Sequence, residues 1–131
     1  MMNIRRDDRH GYLEIELFGA YQLDRMSEVV EEVRELASNH QYIGWLEVHY
    51  GKPQNLFTAM MKTASASNKP EDYGFLKSMR RFALVSDNPG FVFRIFQMFT
   101  RGSDFRMKIF PMHERDHARL WLEEPYTPNQ S

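Results

Sequence analysis

Residues 80–124 read RRFALVSDNPGFVFRIFQMFTRGSDFRMKIFPMHERDHARLWLEE and contain two strand patterns, each followed by a helix pattern. The first strand, residues 82–86, is a continuous apolar run of the kind that a parallel sheet buries on both faces. The second, residues 105–109, alternates between apolar and polar side chains, which suits the edge of a sheet. The helices begin near residues 89 and 113. This order predicts parallel strands joined by right-handed crossovers.

The chain before residue 80 shows the same alternation. Residues 12–18 place Glu14 and Glu16 opposite three aliphatic side chains, which predicts a strand near a sheet edge with one face in water. A helix with Asp24 as its N-cap follows, and residues 42–49 form an interior strand. The helix carries apolar residues at spacings of three and four: Met26, Val29, Val30, Val33, Leu36 and Ala37. We therefore predict an α/β domain with a mixed, mostly parallel sheet of four to five strands and crossover helices.

Length and composition predict one domain over residues 1–131, with a frayed tail at 125–131. The absence of cysteine excludes disulfides, thiolate metal sites and a cysteine nucleophile, and it fits a reducing cytosol. The N-terminal sequence MMNIRRDDRH leads into no apolar stretch, so we predict no signal peptide. The apolar runs are far shorter than the roughly 20 residues of a membrane span. We expect a cytoplasmic protein, either soluble or peripherally attached to membrane.

A Phe-rich helix is predicted at residues 90–101, within PGFVFRIFQMFTRG, and it is more apolar than docking requires. At about 100° per residue, its apolar side chains cover roughly 220° of the circumference, whereas docking on a sheet needs little over 100°. We assign the middle of this arc to the sheet-facing core: Val92, Ile95, Phe96 and Phe99. The margins are Phe91, Phe93 and Met98. This surplus predicts a second apolar surface.

Charge is distributed unevenly along the chain, although the net charge is only -1. Residues 24–47 hold six acidic against two basic side chains, whereas residues 77–108 hold seven basic against two acidic. Two interpretations are open: solvated faces of opposite sign, or a positive surface for anionic lipid head groups around Arg94 and Arg101. A pI near 6.5 and the absence of a long basic run argue against nucleic acid as a partner.

Two histidine patterns suggest chemistry. His113 to His117 match H-E-x-x-H, the zinc protease signature, but the segment is highly charged and no third histidine follows, so we predict no metal site. His49 and Tyr50 lie at the end of an interior strand, where open α/β sheets bind ligands, and the alternative is a histidine bonded to a loop carbonyl. The chain has no Gly-rich phosphate loop and no Gly-x-Ser-x-Gly turn. We predict no catalytic residue, no enzymatic activity and no cofactor.

Residues 80–124 resemble the closing half of the bacterial SpoIIAA-like proteins. That half has an apolar strand with an Asp turn, an apolar helix, an edge strand ending in Phe, and a last helix with Ala-x-x-Trp-Leu. The matching features here are Phe82 to Asp87, Phe91 to Phe99, Phe105 to Phe110, and Ala118, Trp121 and Leu122. The first half agrees in layout, so the resemblance covers about residues 10–124. It implies the STAS-type fold of anti-sigma-factor antagonists, which is similar in shape to the CRAL-TRIO lipid carriers.

The resemblance implies two functions. The antagonists are phosphorylation switches with a serine in Asp-x-Ser-Gly, but the matching stretch, Val48 to Gly51, keeps only the glycine. The lipid-related analogy suits the Phe-rich helix and the methionines, which fill adaptable apolar pockets as well as ordinary cores.

We therefore predict a non-enzymatic domain that binds an apolar small molecule or lipid, or an anionic membrane surface. The alternative is a STAS-like interaction or regulatory module that acts as a homodimer or with a partner protein. The predicted ligand- or membrane-binding residues are Phe91, Phe93, Arg94, Met98, Arg101, Met60 and Met61, and the predicted crevice residues are His49 and Tyr50.

Overall fold

The computed structural model describes residues 1–19, 23–51, 77–88 and 104–127. These residues form five strands and two helices: β1 (Met2–Asp7), β2 (Tyr12–Phe18), α1 (Met26–Asn39), β3 (Ile43–Tyr50), β4 (Met79–Val85), β5 (Arg106–Phe110) and α2 (Arg115–Glu123). The strands make one sheet in the order β1-β2-β3-β4-β5. β1 pairs antiparallel with β2, and the pairs from β2 to β5 are parallel. The predicted α/β class with a mixed, mostly parallel sheet is confirmed.

β1 is an edge strand that the sequence analysis did not predict. It pairs with β2 along its whole length, from Met2 opposite Leu17 to Asp7 opposite Tyr12. Gly11 closes the connection between the two strands with a φ of 71°, a left-handed conformation that favours glycine. Its backbone N–H donates to the Asp7 carbonyl at 2.9 Å. β2 consequently lies one strand inside the edge.

α1 covers one face of the sheet with the apolar stripe that the sequence predicted. Val29, Val33 and Leu36 are fully buried on this stripe. They belong to a core cluster with side chains from β1 to β4: Met2, Leu13, Ile15, Leu17, Ile43, Trp45, Met79, Phe82 and Leu84. The predicted N-cap is wrong, because Asp24 lies in a 3₁₀ turn at Leu23–Arg25 and no side-chain cap bond is made at Arg25.

α2 covers the opposite face and follows a 3₁₀ turn at Met112–Glu114. Ala118 and Leu122 are buried in a second cluster with Tyr12, Leu46, Val48, Ala83 and Val85. Gly44 on β3 permits this close approach, since a Cβ atom there would lie 2.9 Å from Leu122 Cδ2. The sheet therefore has a separate apolar core on each face.

The prediction that one face of β2 lies in water is wrong. Glu14 is only 4% exposed, because α2 lies over the face of the sheet to which Glu14 and Glu16 point. The alternating pattern of β2 is correct, but its polar side faces the arginines of α2 instead of water.

Tyr126, at the start of the C-terminal tail, donates a hydrogen bond to the Asp104 carbonyl at 2.6 Å.

Several predicted features lie outside the described residues. They are the Phe-rich helix at 90–101, with Phe91, Phe93, Arg94, Met98 and Arg101, the methionines Met60 and Met61, and residues 128–131 of the tail. Within the described ranges, no helix combines the length and apolar character needed to span a membrane.

Candidate functional site

A cavity of about 450 Å³ lies at the carboxyl ends of β3 and β4. Six described residues line it: His49, Tyr50, Gly51, Asp87, Asn88 and Met112. Both predicted crevice residues are among them. Since ligands of open α/β sheets bind outside the carboxyl ends of the strands, this is the position where a binding site is expected.

Hydrogen bonds hold the β4 side of this cavity in place. The Asp87 carboxylate accepts a hydrogen bond from the backbone N–H of Met112 at 2.9 Å, and Ser86 Oγ accepts one from the N–H of Asn88 at 3.1 Å. The N–H of Ser86 donates to the Phe110 carbonyl at 2.9 Å. The turn after β4 is thereby tied to the connection between β5 and α2, while the Asp87 and Asn88 residues stay exposed. The cavity therefore has a preformed polar rim.

His49 is buried and paired with a carboxylate. Its Nε2 lies 2.6 Å from Glu47 Oε2, and the other oxygen of Glu47 accepts a hydrogen bond from Trp45 Nε1 at 3.0 Å. The alternative of a bond to a loop carbonyl is therefore wrong. His49 Nδ1 is buried and has no hydrogen-bond partner among the described residues. When the neutral ring donates through Nε2 to Glu47, Nδ1 is left as an acceptor.

Tyr50 is held by charged groups on the other face of the sheet. Its hydroxyl accepts a hydrogen bond from Arg115 Nη1 at 2.7 Å and lies 3.2 Å from Glu16 Oε2, to which it donates. Arg115 Nη1 also lies 2.6 Å from Glu16 Oε2. These bonds connect the cavity to β2 and to the first turn of α2, and they fix the position of the Tyr50 ring.

Glu14 forms the buried part of the same network. Arg119 donates to both of its carboxylate oxygens, at 2.7 and 2.8 Å, and Arg115 and Arg5 donate at 3.0 and 3.3 Å. Burial by itself raises the pKa of Glu14, but the bonds from the three arginines outweigh that effect and lower the pKa to about 2. Glu14 is therefore ionised at neutral pH.

An exposed aromatic pair adjoins the cavity. Phe18, the last residue of β2, stacks on Tyr50 with ring centroids 4.5 Å apart and ring planes nearly parallel. Phe18 is 39% exposed, and it is one of three large apolar side chains that the described residues expose. The sequence analysis missed it because Phe18 looked like one more apolar strand residue. The signal available was its position directly before Gly19, at the end of the strand.

The site offers binding groups more readily than catalytic ones. The Glu47 and His49 pair has the composition of a general base with an orienting carboxylate, but the His49 side chain is only 1% exposed. A substrate has no direct access to that imidazole in this arrangement. The accessible part of the site is the Asp87 and Asn88 rim and the apolar surface of Phe18.

The H-E-x-x-H segment contributes Arg115 to the network around Tyr50, but its two histidines are not among the residues that line the cavity. His113 belongs to the 3₁₀ turn, and His117 lies on α2 with its side chain 68% exposed. His117 Nδ1 is 3.9 Å from Glu114 Oε1. The change from 3₁₀ to α geometry between the two histidines alters the spacing that the zinc motif needs on one helix face. That the segment holds no metal stays a prediction.

The described residues define an α/β fold with a mixed sheet and a cavity at the carboxyl ends of β3 and β4. A family model described as SpoIIAA-like matches residues 12–123, which is most of the chain. The chain therefore belongs to the SpoIIAA-like family, and the predicted resemblance is confirmed. No curated protein and no solved structure matches the chain significantly.

Proposed function

We propose that this SpoIIAA-like domain is a non-enzymatic, STAS-type interaction module that binds a partner protein at the carboxyl ends of β3 and β4. Family membership supports an interaction or regulatory role. The single observation that carries the proposal is the exposed stack of Phe18 on Tyr50 beside the cavity. We call this surface, composed of Phe18, Tyr50, Asp87, Asn88 and Met112, the carboxyl-edge surface.

The carboxyl-edge surface has the composition of a protein interface. Aromatic residues and methionine are enriched at the centres of interfaces, and polar groups form the rim. Here Phe18, Tyr50 and Met112 supply the apolar part, while Asp87 and Asn88 supply the exposed polar part. We expect the partner to place an apolar side chain against Phe18 and hydrogen-bond donors toward Asp87.

The surface is also rigid before binding. The Tyr50 hydroxyl is held between Arg115 and Glu16, and the Asp87 carboxylate is held by the backbone of Met112. Side chains that are already ordered lose little conformational entropy when a partner binds. The network around Glu14 and Glu16 therefore contributes to affinity indirectly, by positioning Tyr50.

The proposed interaction does not use the usual phosphorylated serine of the antagonists. The matching stretch contains His49 and Tyr50 before Gly51, and it has neither the acid nor the serine. A serine kinase would therefore find no serine to modify at that position. The domain is therefore proposed as an interaction module whose binding is regulated differently from that of the antagonists.

The lipid and membrane hypothesis stays a prediction from the sequence. Its residues, centred on the Phe-rich helix at 90–101, lie outside the described part of the chain. The carboxyl-edge surface favours a protein partner because it combines one exposed aromatic stack with a polar rim. The homodimer is likewise a prediction, and the experiment below distinguishes all three.

The test compares two exposed apolar residues. Affinity purification with quantitative mass spectrometry from cells of the source organism identifies candidate partners, and calorimetry with a purified candidate measures Kd. We expect Phe18→Ser to weaken binding at least about tenfold, since central aromatic residues carry much of the binding energy. Leu120→Ser is the control, because Leu120 is 57% exposed but lies on α2. Circular dichroism checks that both variants fold.

Three results would contradict the proposal. The first is a partner that binds wild type and Phe18→Ser with equal affinity. The second is a co-purified acyl lipid in native mass spectrometry of the fresh protein, without any protein partner, which would favour the lipid hypothesis. The third is a stable dimer that Phe18→Ser leaves intact and that carries no further protein.

A further inference from the structure

Three metal-ligating side chains converge at the opposite edge of the sheet, where the parallel strands begin. Asp7, His10 and Glu123 each offer one ligand atom, and these atoms lie within 4.8 Å of one another. Asp7 is the last residue of β1 and His10 lies in the β1–β2 connection, whereas Glu123 is the last residue of α2. Residues more than a hundred positions apart in sequence are thus brought to one point by the fold.

The local structure already orients two of these groups. The backbone N–H of His10 donates to Asp7 Oδ1 at 2.8 Å, and His10 Nδ1 lies 3.2 Å from both carboxylate oxygens. Zinc ligands at about 2.0 to 2.2 Å from the metal are roughly 3.3 to 3.6 Å apart in a tetrahedral site, so this separation fits. The ligand atom of Glu123 lies within 4.8 Å of the other two, a separation that a change of side-chain rotamer can close.

The charges of this cluster are not neutralised in the way that other acids of the protein are. Glu14, Glu16 and Glu32 each pair with an arginine. Within the described ranges, the salt bridge of Asp7 is to His10, and Glu123 accepts a hydrogen bond from the Tyr12 hydroxyl at 3.4 Å. In the part of the chain that the structure describes, no lysine or arginine lies at ion-pair distance from the carboxylates of Asp7 and Glu123, and these carboxylates with an imidazole are suited to a cation.

The surroundings provide the other parts of a metal site. Tyr12 is buried, and its hydroxyl accepts a hydrogen bond from Arg5 at 3.0 Å while it donates to Glu123. Hydrogen bonds of this kind orient ligating carboxylates. A cavity of about 340 Å³ has His10 and Glu123 in its lining together with Arg9 and Arg81, and it gives a water molecule room to serve as a fourth ligand.

We propose that Asp7, His10 and Glu123 bind a divalent cation of the zinc class, which fastens the β1–β2 connection to the end of α2. Imidazole combined with carboxylate favours zinc over magnesium or calcium, which prefer oxygen ligands alone. The metal would stabilise the fold at the edge opposite the carboxyl-edge surface. This inference is independent of the partner-binding proposal.

The experiment titrates the full chain, freed of metal with a chelator, with zinc chloride in a calorimeter and measures Tm with and without zinc. His10→Gln and Glu123→Gln remove ligands, and Glu123→Gln keeps an oxygen that accepts from Tyr12. The control is the double variant His113→Gln/His117→Gln, which removes the H-E-x-x-H histidines. We expect one zinc per chain in wild type and control, and binding at least about tenfold weaker in both site variants.

The Tm provides a second readout, since a ligand that binds only the folded state stabilises it by mass action. Zinc should raise the Tm of wild type and of the control, and it should leave the Tm of the two site variants almost unchanged. Zinc affinity that is unaffected in His10→Gln and Glu123→Gln would overturn the proposal. So would loss of binding in the control double variant, or no binding of zinc by the wild-type chain.

Discussion

Glu14 is a buried carboxylate that three arginines from two elements surround. Arg5 comes from β1, whereas Arg115 and Arg119 come from α2. An ionised carboxylate inside a protein is tolerated only when it is paired and hydrogen-bonded, and removing one partner of such a pair is costly. The role of Glu14 is therefore to hold β1, β2 and α2 together in one arrangement, and indirectly to position Tyr50.

The first prediction concerns the pH dependence of this residue. The folded pKa of Glu14 is about 2, against 4.5 for the unperturbed group. Its stabilising contribution is fully present above about pH 4.5 and is lost as the pH falls through 2, because protonation then costs the ion pairs. That contribution is up to about 3 kcal/mol. Urea unfolding of wild type and Glu14→Gln at pH 7, 4.5 and 3 should show a smaller acid effect in the variant.

Glu28→Gln is the matched control, because Glu28 is an exposed residue that pairs with Arg25 on the surface of α1. Its acid sensitivity should be nearly that of wild type, since exposed ion pairs contribute little. Equal pH profiles of Glu14→Gln and wild type would show that folding does not lower the pKa of Glu14.

At the scale of elements, α2 has two different contacts with the sheet. Its apolar side places Leu122 against Gly44 of β3, and its basic side places Arg115 and Arg119 over Glu14 of β2. The apolar contact depends on a missing side chain, and the polar contact depends on charges of opposite sign. Both contacts hold α2 in the position that places Met112, in the 3₁₀ turn before it, at the cavity.

The second prediction tests the apolar contact by a double-mutant cycle. In Gly44→Ala, the new Cβ would lie 2.9 Å from Leu122 Cδ2 and 3.2 Å from Tyr12 Cβ. Overpacking of this kind costs about 1 to 3 kcal/mol. Leu122→Ala removes the clashing atom, so Gly44→Ala should cost less in that background. Urea unfolding of the four proteins measures the coupling, and purely additive effects would show that α2 does not press on Gly44.

At the scale of the whole molecule, one sheet separates two cores. The α1 core contains Trp45 and the α2 cluster is bordered by Trp121, so each layer has its own fluorescent side chain. β3 and β4 contribute buried side chains to both cores. Because the two cores share these strands, loss of one layer exposes one face of the same strands on which the other layer packs.

The third prediction follows from this shared sheet. Small domains of fewer than about 150 residues usually unfold in one cooperative step. Trp121→Phe leaves Trp45 as reporter of the α1 layer, and Trp45→Phe leaves Trp121 as reporter of the α2 layer. In each variant, the fluorescence midpoint in urea should coincide with that of far-UV circular dichroism. A Trp121 transition that precedes the circular dichroism transition would instead show that α2 detaches first.

The sequence by itself was sufficient for the elements that depend on local periodicity. The stripe of α1 and the apolar run of β4 were predicted correctly, because the spacing of apolar side chains depends only on helix and strand geometry. The α/β class followed from the order of these elements, and the resemblance to the SpoIIAA-like family rested on motifs such as Ala118, Trp121 and Leu122. β1 was missed because its charged residues show no regular alternation, and only pairing with β2 makes it a strand.

The tertiary structure alone decided which polar residues act together. Glu14 was expected in water because alternation shows that it shares a face with Glu16, but alternation cannot show that two arginines about a hundred residues later cover that face. For the same reason, the sequence could not show that Phe18 lies beside Tyr50. It also could not show that Asp7, His10 and Glu123 converge. Periodicity is a local property of the chain. Burial, ion pairing and site composition depend on contacts between distant segments, which exist only after the chain has folded.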